Sequence, residues 1–262
     1  MKALHTTAAL AALFATTAAV PAVAQPANAA IHNIVLVHGA FVDGSGWKGV
    51  YDILKKDGYE VTIVQNSTAS LDGDVSATKR AIADAKGNVI LVGHSYGGAV
   101  ITEAGNDTKV AGLVYVAAFA PTSGESVGSL TANPPPGATV PPTLSPENDS
   151  ILLDRSKFPA AFAADVARDE AEFMAASQTP WGLAAIKGAI THPAWQDKPT
   201  WYLLTSEDKM IPPAAQRQMA ERAHAKISET MASHAVFVSH PKVVAGLIEK
   251  AAKSASTKSA AN

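Results

Sequence analysis
From Ile31 onward the chain alternates short apolar runs, rich in β-branched residues, with longer stretches whose apolar positions recur every three or four residues. The runs are Ile34–Val37, Val61–Val64, Val89–Val92, Val110–Val116 and Trp201–Leu204, with a weaker one at Ile227–Met231. Continuous apolar runs suit strands buried on both faces. Between them Trp47–Lys56, Val75–Ala85, Ala99–Ala104, Pro213–Ala223 and about Pro241–Lys253 read as helices, the fourth opened by prolines where a missing N–H costs nothing. This alternation predicts an α/β fold, a mostly parallel sheet with helices on both faces.

Between Pro121 and Lys198 the alternation stops. The stretch passes through Asn133-Pro134-Pro135-Pro136-Gly137 and Pro141-Pro142, then becomes helix-like around Phe158–Ala176. Compact domains do not carry structureless loops of that length, so residues 121–198 are expected to form an inserted cap on a core made of 25–120 and 199–253. Residues 254–262 are small and polar and read as a frayed tail. No internal repeat is visible.

Composition narrows the function classes. The chain is 47% hydrophobic and 17% charged, so it can bury enough surface to fold. Lys and Arg number 21 against 23 Asp and Glu, which leaves no excess positive charge for gripping nucleic acid. The absence of cysteine excludes disulfides, thiolate metal sites and cysteine nucleophiles. Some of the apolar fraction sits in residues 1–24, where Lys2 precedes an apolar run from about Thr7 to Val20 and Ala22-Val23-Ala24 offers a small-x-small cleavage site. Ala27-Asn28-Ala29 offers a second. The run is too short to span a bilayer, and Pro21 and Pro26 would break a helix, so an export signal is expected. The mature chain is then periplasmic or secreted, without a membrane anchor, its oligomeric state open.

The strongest chemical signal is Gly93-His94-Ser95-Tyr96-Gly97-Gly98, directly after an apolar strand and before a helix. A sharp strand-to-helix turn would expose Ser95 at the carboxyl end of the sheet, with glycines where neighbouring backbone comes close. The Tyr96 N–H, at the helix start, would point at an oxyanion. A serine hydroxyl is a weak nucleophile and needs a base and an orienting acid. Asp208 follows a strand at the same sheet edge; Glu207 is the alternative, and Asp197 lies at the wrong end of that strand. Among the eight histidines His234 is best placed, after the weak strand, with His240 as the alternative at the start of the last helix. His224 reads as a surface helical residue, His192 as a cap residue, His94 as packing beneath the turn, His32 as the start of the first strand, and His5 as part of the export signal.

The loop His38-Gly39-Ala40-Phe41 would supply the second oxyanion donor from the N–H of Ala40, or alternatively Phe41, with His38 orienting the loop. Gly44-Ser45-Gly46-Trp47-Lys48-Gly49 matches a dinucleotide-binding pattern, but it begins too far beyond the first strand and no acid ends the second strand. Those glycines are expected to let the loop curl over the pocket. Phe41, beside the oxyanion loop, is a candidate pocket wall, and Phe158, Phe162, Phe173, Met174, Trp181 and Trp195 are candidate walls from the cap, which together suit a small apolar or aromatic ligand.

Val37-His38-Gly39-Ala40, the Gly93–Gly98 turn, Asp208 and His234 together resemble the α/β-hydrolase superfamily over Ile31–Lys253, in its small branch of bacterial carboxylesterases, methyl-salicylate esterases and hydroxynitrile lyases. The resemblance implies Ser95 as nucleophile, His234 as general base, Asp208 as acid, and the N–H groups of Ala40 and Tyr96 as oxyanion hole. It implies a small ester substrate and no metal or organic cofactor. The lyases carry threonine where this chain has Gly39 and lysine where it has Ala235, so hydrolysis is favoured over cyanohydrin cleavage. Dehalogenases and epoxide hydrolases carry aspartate in place of Ser95. A lactonase, an amidase and a weakly catalytic ligand receptor remain as alternatives.

Overall fold
A computed structural model describes residues 30–132 and 139–258. The expected export signal, both of its cleavage sites, His5 and the run Asn133–Gly137 lie outside the described residues. In chain order the first half builds β1 (Asn33–Val37), α1 (Lys48–Lys56), β2 (Glu60–Val64), α2 (Leu71–Asp84), β3 (Val89–His94), α3 (Gly97–Ala104) and β4 (Val110–Val116). The chain then leaves the main sheet for α4 (Val127–Thr131), β5 (Ser150–Ile151), α5 (Phe158–Phe162), α6 (Arg168–Ala176), β6 (Trp181–Gly182) and α7 (Leu183–Lys187). It returns as β7 (Thr200–Thr205), α8 (Pro213–Arg222), β8 (Lys226–Thr230), α9 (Val236–Ser239) and α10 (Pro241–Lys258).

The main sheet has six strands in the order β2-β1-β3-β4-β7-β8, and every pairing in it is parallel. All residues of β3 and β7 are buried, which is why their runs read as uninterrupted hydrophobics. At the edges β2 and β8 keep exposed positions, and β8 gave the weak signal for that reason. Helices α1 and α10 pack together on one face, α2 and α3 on the other. Among the described residues no helix is long and apolar enough to cross a membrane.

Three boundaries differ from expectation, each for a local reason. Helix α2 starts at Leu71 rather than Val75 because the Ser70 hydroxyl accepts from Gly73 N–H and caps a polar first turn. The helical stretch expected over Phe158–Ala176 divides into α5 and α6. Helix α10 runs to Lys258, past the Ser254 at which fraying was expected: Ala255 is buried and Ser256 Oγ accepts the Ile31 N–H at 3.0 Å.

The strand order sets the place of the site. After β1 the chain crosses to β2 on one side, whereas β3 lies on the other side of β1, so the loops leaving β1 and β3 diverge and open a crevice at the carboxyl edge of the sheet.

Candidate active site
Ser95 follows the last residue of β3 and has φ 54, a left-handed conformation that a serine adopts only when its surroundings hold it there. Its N–H donates to Val116 O and its carbonyl accepts from Gly98 and Phe119. The turn requires glycine on steric grounds. A Cβ on Gly93 would lie 2.5 Å from Gly97 O, and one on Gly98 would lie 2.2 Å from Phe119 O. Phe41, Thr68 and Ala117 also have positive φ, so the segments just beyond β1, β2, β3 and β4 each hold a residue in sparsely populated backbone at the carboxyl edge of the sheet.

Ser95 Oγ is 2.8 Å from His234 Nε2, and His234 Nδ1 is 2.7 Å from Asp208 Oδ2. All three residues are buried. A carboxylate can only accept, so the imidazole carries its proton on Nδ1 and leaves Nε2 free to accept from the serine hydroxyl. Asp208 is itself tightly held. Its Oδ1 accepts from the backbone N–H groups of Met210 at 2.7 Å and Ile211 at 2.9 Å, and its Oδ2 accepts also from Thr205 Oγ1 and Gln216 Nε2.

The segment between β4 and β7 helps to hold the histidine. Asp165 accepts from the N–H and hydroxyl of Ser233 and from the Ser239 hydroxyl, Ala235 N–H donates to Phe162 O, and the Phe162 ring meets the His234 ring edge-on at 4.8 Å. On the other side His94 donates from Nε2 to His234 O at 2.9 Å, with ring centroids 4.7 Å apart. Burial, reinforced by the neighbouring His234, holds the His94 ring well below the usual histidine range, so it packs there as a neutral ring.

Ala40 and Tyr96 flank Ser95. Gly39 approaches so closely that a Cβ on it would lie 2.6 Å from Ser95 Cβ, and His38 Nδ1 bonds Gly39 O at 2.9 Å. Burial lowers the His38 pKa, against the raising effect of that bond. The Tyr96 phenol donates to the buried Asp74 at 2.8 Å; burial pushes both groups upward, and the phenol stays protonated. A cavity of about 580 Å³ opens at Ser95, walled by Phe41, Phe119, Trp181, Ile186 and Met219 among others, and among the described residues its lining holds no ionisable side chain. Phe41 and Trp181 meet edge-on at 5.5 Å.

Other expected positions differ. Trp195 does not line this cavity: its indole N–H donates to Pro121 O, and it borders an open cleft at the opposite, amino-terminal edge of the sheet. Phe173 is 67% exposed, Phe158 and Phe162 stack on each other in the core, and Met174 packs against that core. Glu207 and Asp197 are exposed, and His240 bonds Ser239 Oγ and Asp165 rather than Ser95. His224 sits in the turn after α8 with φ 49, not within a helix. His192 is exposed. The glycines at 44 and 46 admit Gln65 and Phe237, and Gly49 abuts Pro241, so they serve packing rather than a curled loop. Sequence reasoning missed Asp74, Asp165, Thr205 and Gln216. Only Gln216 carried a readable signal, since Gln216, Met219 and Ala220 share the buried face of α8.

Comparison with known proteins agrees with this architecture. A model of the alpha/beta hydrolase family matches residues 34–247. The alpha/beta hydrolase nvfD of Aspergillus novofumigatus is 28% identical over 242 residues, covering 84% of this chain and 96% of that protein. A pyrethroid hydrolase of Sphingobium wenxiniae is 27% identical over 247 residues, covering 83% and 86%. A carbendazim-hydrolysing esterase of Nocardioides sp. is 37% identical over 112 residues, which are 37% of this chain and 46% of that protein. The crystal structure of a pyrethroid hydrolase superposes with a TM-score of 0.75 at 23% identity, covering 85% of this chain and 98% of the other, a likeness of fold.

Proposed function
The chain belongs to the alpha/beta hydrolase family, and from that premise we propose that it is a carboxylesterase-type serine hydrolase that cleaves small, uncharged carboxylic esters through an acyl-enzyme. The observation that carries the reading is the unbroken hydrogen-bonded line from Ser95 Oγ through His234 to Asp208. His234 takes the Ser95 proton as the hydroxyl oxygen attacks the ester carbonyl, and Asp208 holds the Nδ1–H tautomer and stabilises the imidazolium that forms. The N–H groups of Ala40 and Tyr96 receive the negative oxygen of the tetrahedral intermediate. His234 then gives its proton to the departing alcohol, and a water deprotonated by the same ring releases the acid.

The lining of the cavity supports an apolar ester. Among the described residues its polar side-chain groups are hydroxyls, one amide and the Trp181 indole, so a charged group entering it would lose hydration without meeting an opposite charge. Two relatives are named as a carbendazim-hydrolysing esterase and a pyrethroid hydrolase, which supports ester cleavage. The test is a panel of p-nitrophenyl esters of increasing acyl length, assayed with the parent and with Ser95→Ala. The variant should lose at least about 10³-fold in kcat with an unchanged circular-dichroism spectrum; retained turnover would refute the assignment.

A further inference from the structure
Gln216 is fully buried on α8, and each of its amide atoms has a partner. Its Oε1 accepts from the Thr205 backbone N–H at 3.2 Å. Its Nε2 faces Asp208 Oδ2 at 2.9 Å, Ile211 O at 2.9 Å and Thr205 Oγ1 at 3.2 Å. The surroundings fix which way the amide points: the Thr205 N–H can only donate, whereas the carboxylate and the Ile211 carbonyl can only accept. The NH₂ therefore faces Asp208. The same Oδ2 also bonds His234 Nδ1.

We propose that Gln216 is a positioning residue for ester cleavage, its amide holding Asp208 Oδ2 in line with His234 Nδ1. The proposal rests on the roles given above to Ser95, His234 and Asp208. The two backbone donors to Oδ1 fix one end of the carboxylate, but rotation about that end is opposed only by what grips Oδ2. Thr205 is a dependent part of that grip, since its hydroxyl accepts from Gln216 and donates to Asp208 at 3.1 Å. Removing the amide takes away the Nε2 donor to Oδ2 and the bond that orients the Thr205 hydroxyl. Helix α8 also presents Ala215 and Met219 to the cavity, so one element holds the acid and walls the substrate.

Gln216→Met keeps the length and apolar volume of the side chain, and Gln216→Asn keeps an amide but withdraws it by one methylene from Asp208. Both are compared with the parent and with Ser95→Ala, reading kcat and KM separately and following the far-downfield proton resonance of the His234–Asp208 hydrogen bond. The expected result for each is a fall in kcat of up to about 10²-fold, as for other small misplacements of a reacting group, with KM within about twofold and a shifted or broadened resonance. A folded variant with parental kcat, or with a fallen kcat and an unmoved resonance, overturns the proposal. If Gln216→Met does not fold, Gln216→Asn decides by the same readings. Turnover retained by Ser95→Ala would overturn the underlying mechanism and this inference with it, whereas an inactive Ser95→Ala beside a parental Gln216 variant overturns this inference alone.

Discussion
Phe41, Thr68, Ser95 and Ala117 hold positive φ in the segments after four neighbouring strands, and none of them is glycine. Each conformation costs of order 1–3 kcal/mol and survives only where packing over-determines it. Gly39 is part of that packing. Gly39→Ala would force its methyl into Ser95 Cβ, at 2.6 Å, and displace the loop that carries the Ala40 N–H. The expected outcome is a loss in kcat on the order of 10²-fold, comparable to removing one oxyanion donor, with a stability loss of about 1–3 kcal/mol. Steady-state kinetics with urea unfolding measure both, and a variant that lost stability while keeping its kcat would contradict it. Ser95 was legible in the sequence because steric demand writes glycines beside it. Asp165 was not, because its meaning comes from Ser233, 68 positions away.

Elements were legible in proportion to how completely they are buried. The central strands announced themselves as apolar runs, while edge strand β8 was faint and the start of α2, written in a serine cap rather than in apolar spacing, was missed. The segment between α5 and α6 was least legible of all. Phe162 was expected to wall the pocket, yet its carbonyl and the Asp165 carboxylate grip both neighbours of His234, at Ala235 and Ser233. Asp165→Ala removes the acceptor for three donors. A charged hydrogen bond contributes about 1.5–3 kcal/mol, so the melting temperature should drop by roughly 3–12 °C. The kcat should fall more than the affinity for ester, because His234, the base in the proposed mechanism, and not the cavity is loosened. Calorimetry and steady-state kinetics check this, and a change in KM alone would count against it.

Across the whole molecule the buried histidines set how stability responds to acid. Burial lowers the pKa of His38 and His94 from 6.5, so below that value the unfolded chain takes up protons that the folded rings refuse. Their contribution is intact above pH 6.5 and is lost as pH falls, by at most about 1.4 kcal/mol per pH unit for each ring. Asp74 works in the opposite direction. Its raised pKa makes the fold favour the protonated acid, and that advantage disappears as pH rises from 3.8. Two rings against one carboxyl predict a net loss of stability from pH 7 to pH 5. His94→Gln should flatten this slope even though it lowers the curve as a whole, and urea unfolding at pH 7, 6 and 5 measures it; an unchanged slope would exclude His94 as a contributor.

The bond from Ile31 N–H to Ser256 Oγ brings the first strand and the last helix together at the amino-terminal edge of the sheet, across the molecule from Ser95. A short linker could therefore join these two points and close the fold into a ring, with new ends opened in an exposed surface turn such as the one at Gly58. The exposed Ala30 beside this bond can equally take a tether to a solid support, at the edge of the sheet away from Ser95.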